Sequence, residues 1–339
     1  MDDVLADFAG QGAKGGNDQL LLTPSSAGRL AELYGHLLGS MGQSAQGKRL
    51  IVVPDGCLAR LPFEMLVQKL APFTFALQAH DIRYIQSATV LVSQRKNRSV
   101  KRAGGFVGFG DPVYDYGKFL AHEPEPGSTG EVGEGRSIVR SGYLRGGGVL
   151  TRLPGSGREV TDISGKFSSA GMTSRPLLRD KARVEAARGS ELSDYGYIHF
   201  STHGILKSHF QALALTQDPS SKEDGFLTFG HIMDSRYSAA RLVVLSACET
   251  GLGVEERGEG VTGLTRAVMY AGSPAVVVSL WKVDDEQTGK LMSALYGGLL
   301  QQGLSPPAAL RQAKSAMVAD GNELTASPFS WAAFVMYGE

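Results

Sequence analysis

Three apolar runs decide most of what this chain can fold into. Tyr195–Ser201, Leu242–Ser246 and Ala275–Leu280 are dominated by Val, Ile, Leu, Ala and aromatic residues, and each is of strand length. A strand without a polar face is covered on both sides, which is the pattern of a parallel sheet held between helix layers. The spacing between these runs is helical: Arg158–Phe167, Lys181–Ala187, a turn at Phe229–Met233, Val261–Tyr270, Asp284–Leu300 and Pro306–Val318. Leu213–Leu215 and a closing Trp331–Tyr337 add further strand. The expected class is therefore α/β with a mainly parallel central sheet. Sites in such sheets lie beyond the strand C-terminal ends, so the chemistry is sought there.

The first half is less regular. Residues 1–18 are polar and Gly-rich and are expected to be loose. Leu30–Leu38 has helical spacing with a start at Pro24-Ser25-Ser26. Arg49–Pro54 and Phe106–Asp111 read as strands, the first ending in an Asp55-Gly56 turn. Between Pro112 and Gly148 apolar periodicity vanishes into PEPGSTGEVGEGRSIVRSGYLRGGG, a linker or long surface loop. The expected division is a loose 1–18, a first unit over 19–116, a linker over 117–150 and a second unit over 151–339.

Two strand ends carry reactive side chains. Tyr197-Ile-His-Phe-Ser-Thr-His203-Gly204 ends in His and then Gly; Arg241-Leu-Val-Val-Leu-Ser-Ala-Cys248-Glu-Thr-Gly251 ends in Cys and a Gly-containing loop. In a parallel sheet both ends reach the same edge. A thiol beside an imidazole becomes a nucleophile, because the imidazole takes its proton or stabilises the thiolate. The small residue after His203 leaves main-chain N–H groups able to face an oxyanion, so the amides of Gly204 and Cys248 are the candidate oxyanion hole. Alone, a strand-end Cys is commonly a small buried hydrophobe, and Cys57 is read that way. The conjunction of Cys248 and His203 is what points to chemistry.

Other patterns compete. His199 and His203 stand four apart, but on a strand and without the glutamate of a zinc helix, so no metal site is expected. Gly258-Glu-Gly260-Val-Thr-Gly263 has GxGxxG form, an alternative dinucleotide-binding reading, yet it lies well after the strand end that such a fingerprint needs. Asp284, Asp285 and Glu286 fit two jobs: capping the following helix, where its dipole favours acids, or lining a pocket for a cationic side chain. Lys plus Arg equals Asp plus Glu at 34 each, which leaves no global field to draw nucleic acid or membrane. With two cysteines, no signal peptide and no membrane-length apolar run, a cytoplasmic protein is expected.

HFSTHG, LVVLSACETG, RGEGVTGLTRAVMYAGSPAVVVSLWKVDDEQT, ALRQAK and PFSWAAFVMYG together resemble the CHAT peptidases, which are grouped with caspases, separases, gingipains and metacaspases. RLIVVPDGCLARLPFEML, IRYIQSATVL, GFGDPVY and LPGSGREV extend the likeness through the first half, from Leu20 onward. The resemblance implies a caspase-like αβα sandwich in which a pseudo-caspase-like unit over 19–116 precedes a catalytic unit over 151–339. It implies a cysteine endopeptidase without cofactor, with a dyad mapping onto Cys248 and His203. It also implies limited cuts in a partner protein, such as a gasdermin-like or other defence-linked substrate in bacterial defence or cell death. A regulatory protein or domain is expected too. Many such chains carry tetratricopeptide repeats; none is legible here, so this one is either a fragment or docks its regulator otherwise. The competing reading on the same fold is a catalytically silent scaffold.

The departures from caspases bear on specificity. Where caspases carry Gln-Ala-Cys, this chain has Ser246-Ala247-Cys248, which argues against cleavage after Asp. Separases resemble it at LWKVDD, where an acid recognises arginine. Arg or Lys at P1 is therefore expected, with Ser246, Asp284 and Asp285 as S1 candidates; a pocket of Ser246 and apolar groups would take Leu or Met instead. Arg136, Arg140, Arg145 and Arg152, in or beside the Gly-rich segment, are candidate autoprocessing sites. No third residue orienting the dyad is evident.

Overall fold

The computed structural model describes residues 22–45, 48–96, 103–122, 150–207, 210–248 and 259–338. Twelve strands are found there: β1 (Arg49–Val52), β2 (Val67–Leu70), β3 (Phe73–Phe75), β4 (Asp81–Tyr84), β5 (Phe106–Pro112), β6 (Ser174–Arg179), β7 (Tyr197–Lys207), β8 (Phe210–Ala214), β9 (Phe226–Thr228), β10 (Leu242–Cys248), β11 (Ala275–Ser279) and β12 (Phe334–Gly338). Ten of them form one sheet with the path β1-β4-β12-β11-β10-β7-β5-β6, and β8 and β9 hang from β7. From β11 to β6 every pairing along the path is parallel; β12 runs antiparallel to β11 and parallel to β4. The fold is the α/β arrangement with a mainly parallel central sheet that the strand pattern predicts.

Three of the longer helices open on a proline. Thr23 accepts from the Ser26 N–H and Pro24 opens α1 (Pro24–Leu37). Helix α2 (Pro154–Ser169) covers β5, β6 and β7; α3 (Glu259–Tyr270) packs on β7 and β11. Helices α4 (Asp285–Gln301) and α5 (Pro306–Val318) pack together, with α4 also against α2. The close seat of α2 explains a glycine in the strand beneath it. A Cβ on Gly110 of β5 would lie 2.7 Å from the Ser156 carbonyl oxygen, so any side chain there would push the helix off the sheet.

The expected boundary at 116/117 does not separate two sheets. Strand β5, on its N-terminal side, lies between β7 and β6 and is buried along its whole length. Strands β1 and β4 join the same sheet through a Tyr84–Tyr337 pairing. Apolar strands on both sides of the Gly-rich segment need the same helix layers to cover them, and one sheet satisfies all of them. A buried ion pair also spans the halves: Lys314 of α5 donates to Glu64 Oε1 at 2.8 Å, and the Tyr84 hydroxyl donates to the other oxygen. Burial, with the Glu64 charge next to it, pushes the Tyr84 phenol far up, so it stays a neutral donor. Among the described residues no helix is long and apolar enough to cross a membrane.

Candidate active site

Register brings the two reactive strand ends together. Strands β7 and β10 pair in parallel from Tyr197 opposite Leu242 to His203 opposite Cys248. Side chains alternate along a strand, so His199, Ser201 and His203 share one face with Val244 and Ser246 beside the first two. That face is the one covered by α2 and α4, since His199 bonds Glu159 of α2 and Tyr296 of α4. Beyond His203, β7 changes partner: Gly204 stands opposite Leu213 of the antiparallel β8.

The imidazole of His203 is held by a main-chain group. Its Nε2 lies 2.8 Å from the Thr151 carbonyl oxygen. A carbonyl only accepts, so Nε2 carries the proton and the lone pair sits on Nδ1. The Tyr114 ring leans on the imidazole at 5.3 Å between centroids, and its hydroxyl is anchored 2.8 Å from Thr202 Oγ1. Burial pushes the Tyr114 phenol well up, which keeps it un-ionised against His203. The sequence shows no partner for the His203 ring; the structure gives it a backbone carbonyl, which no residue type announces.

A small cavity of about 70 Å³ opens next to His203. Ser201, Ser246, Glu159, Asp285, Thr288 and Lys282 line it, with Leu153 and Val283 as apolar wall. Glu159 is buried and its carboxylate accepts from His199 Nε2 at 2.7 Å and Ser201 Oγ at 3.0 Å; the Tyr296 hydroxyl then donates to His199 Nδ1 at 3.1 Å. Thr288 Oγ1 is buried and makes no hydrogen bond. The three S1 candidates separate. Ser246 and Asp285 line the cavity, whereas Asp284 turns away and caps α4 by accepting from the Glu286 N–H at 2.9 Å. The Asp285 carboxylate occupies the space where a Cβ on Gly155 would stand, tucked against the first turn of α2. Burial, then the charges of Asp284 and Glu159, raise its pKa above the usual carboxylate value. Glu159 gave no sequence signal beyond its place in a helical pattern.

The remaining candidates fall as follows. The Arg152 guanidinium forks onto the Asp111 carboxylate at 3.0 Å and 2.8 Å, so cleavage after Arg152 would first have to break that pair. Arg136, Arg140 and Arg145 lie outside the described residues, as does Gly258. Gly263 sits inside α3, where the Gln211 amide fills the space a Cβ would take. That glycine admits a neighbouring side chain within a helix.

Known proteins agree with this fold. Human tetratricopeptide repeat protein 28 is 24% identical over 347 residues, covering 91% of this chain. The mouse protein of the same name is 34% identical over 112 residues, covering 33% of this chain. This chain spans only 13% of the human relative's length and 4% of the mouse relative's. The crystal structure of the Arg-specific cysteine proteinase gingipain R superposes with a TM-score of 0.50 at 11% identity, over 94% of this chain and 67% of that one. A structure titled as a protease gives 0.51 at 10% identity, over 94% of this chain and 68% of that one. The profile described as the CHAT domain matches residues 21–339, and the chain belongs to the CHAT domain family.

Proposed function

We propose that this chain is a cysteine endopeptidase that makes limited cuts in a partner protein, with Cys248 as nucleophile and His203 as general base. The observation that carries the reading is the in-register opposition of Cys248 and His203, with His203 Nε2 held by the Thr151 carbonyl. The nitrogen left with its lone pair is Nδ1, the one suited to take the thiol proton. The thiolate attacks the scissile carbonyl, and the amides of Gly204 and Cys248 receive the oxyanion. The imidazolium protonates the leaving amine, then the neutral ring activates water for deacylation.

The substrate side chain at P1 is Arg or Lys. Glu159 and Asp285 give the cavity two acids against a single basic lining residue, the exposed Lys282 at its rim. A cationic head group offsets the burial and the acid–acid repulsion that together raise the Asp285 pKa. The Ser201, Ser246 and Thr288 hydroxyls supply further acceptors. Repeats of the kind that name the human relative are candidate regulators, since this chain matches only a small part of that protein.

Cleavage of a proteome-derived peptide library by wild type and Cys248→Ala, read by mass spectrometry, tests this. Cuts after Arg or Lys that vanish in Cys248→Ala are expected. Cuts that survive in Cys248→Ala remove Cys248 from the mechanism, and cuts after Leu or Met remove the acidic S1.

A further inference from the structure

Behind the Thr151 carbonyl stands a buried ion cluster that the mechanism above does not use. Asp111 ends β5 and is buried. Its carboxylate receives both Nε and Nη2 of Arg152, and Nη1 of Arg179 at 3.1 Å. Asp111 has φ +45° and Arg179, at the end of the neighbouring β6, has φ +53°. Neither is glycine, so both backbones sit in a region that side chains disfavour. Paired strained residues at one sheet edge are retained where the surroundings over-determine them, which is common at functional sites.

The cluster grips the segment that touches His203. Arg152 is the residue whose peptide bond contains the Thr151 carbonyl. The Asp111 N–H donates to Ser156 Oγ at 2.7 Å, and that hydroxyl donates to the Leu153 carbonyl at 2.8 Å. One residue thus holds the 151–156 segment at two points, on either side of Leu153. We propose that Asp111 is a positioning residue: by clamping Arg152 and Ser156 it holds the Thr151 carbonyl against His203 Nε2, fixing the imidazole and leaving Nδ1 as its basic nitrogen. The proposal rests on the reading of His203 as general base. The charged groups around the imidazole are Glu159, Asp285 and Lys282 on the cavity wall, with Asp111, Arg152 and Arg179 behind Thr151.

Two variants and two readouts test it. Asp111→Asn keeps the size and removes the charge. Asp111→Gly removes the carboxylate while relieving the positive φ, and circular dichroism checks that the variant is folded. The first readout is kcat and KM on a cleaved peptide. The second needs no turnover: alkylation of Cys248 by iodoacetamide, by intact mass, in a Cys57→Ser background that removes the other, exposed thiol. An imidazolium held in place makes the thiolate reactive at low pH, while at high pH the thiol ionises unaided. Both variants are expected to lose about tenfold to a hundredfold in kcat with KM within about twofold, as misplaced groups do. Alkylation at pH 6.5 should fall about fivefold or more with the rate at pH 9.5 unchanged. An Asp111→Gly protein with wild-type kcat, or one that alkylates at pH 6.5 as fast as wild type, overturns the clamp. A wild type that cuts nothing, or cuts that persist in His203→Ala, overturns the peptidase reading; the alkylation contrast then still decides the clamp.

Discussion

Two buried glutamates, Glu64 in a short helical turn and Glu159 in helix α2, show how similar chemistry is put to different ends. Glu64 is enclosed: Lys314 and Tyr84 donate to its two oxygens, and Lys314 itself is 1% exposed. Glu159 is just as buried, but its partners are His199 and Ser201, and one side of it faces the cavity beside His203. The Glu64 pair joins the first half to helix α5 and touches nothing a substrate could reach. Glu159 is left with unused acceptor capacity and a second acid, Asp285, across the cavity. A buried carboxylate closed in by a lysine and a phenol is a fastener; one that borders a cavity keeps acceptor capacity available to a ligand.

The contrast is broken most sharply at Lys314. Lys314→Met leaves Glu64 charged and unpaired, which costs about 3–5 kcal/mol. Urea unfolding should show that loss, and Glu64→Gln added to Lys314→Met should recover most of it. The folded fraction should keep its activity per molecule; if it does not, the fastener also serves the site. Glu159→Gln reverses the pattern. The amide can still accept from His199 and donate to Ser201, so unfolding free energy should change by only about 1 kcal/mol. Cleavage after Arg should fall about tenfold to a hundredfold, near the discrimination expected when a charge-assisted bond is lost. Steady-state kinetics on paired Arg and Leu peptides check this, with a fall equal for both peptides counting against Glu159 as a specificity group.

Asp285→Asn should have the smallest effect on stability, and of opposite sign. The folded pKa of Asp285 is raised, so its ionised form is a cost that is present at neutral pH and fades as pH falls through that value. The Asn variant should therefore melt slightly higher than wild type at pH 7, and the two should converge once the pH is below the ordinary carboxylate value of 3.8. Its KM for an Arg peptide should rise over the same neutral range. A variant that melts lower at pH 7 would mean the carboxylate is stabilising where it sits.

The meeting of the two strand ends was legible because it depends on residue type and position: an apolar run, then His-Gly or Cys, at a shared edge. Helix starts were legible at Pro24 and Pro306, where proline opens the first turn. The acids after Trp281 could not be divided by sequence, since Asp284 and Asp285 suit either job; the structure gives the cap to one and the cavity to the other. Strand β6 escaped notice because Ser-Arg-Pro-Leu-Leu-Arg has no alternation and a proline, which the sheet tolerates because β6 is its last strand. Strand β4 is only Asp-Ile-Arg-Tyr, its charges disguised by a mutual Asp81–Arg83 pair. The Thr151 carbonyl has no side-chain signature at all.

Strand β12 has a consequence for how the molecule is made. It lies between β11 and β4, so among the described strands it alone joins β1 and β4 to the rest of the sheet. A ribosome delivers β1 and β4 early and β12 after almost every other strand has emerged. Until then the nascent sheet is in two pieces, each with a raw edge of unpaired amides and carbonyls. Contacts this far apart in sequence close slowly, so the interval is one in which a holding chaperone has something to hold.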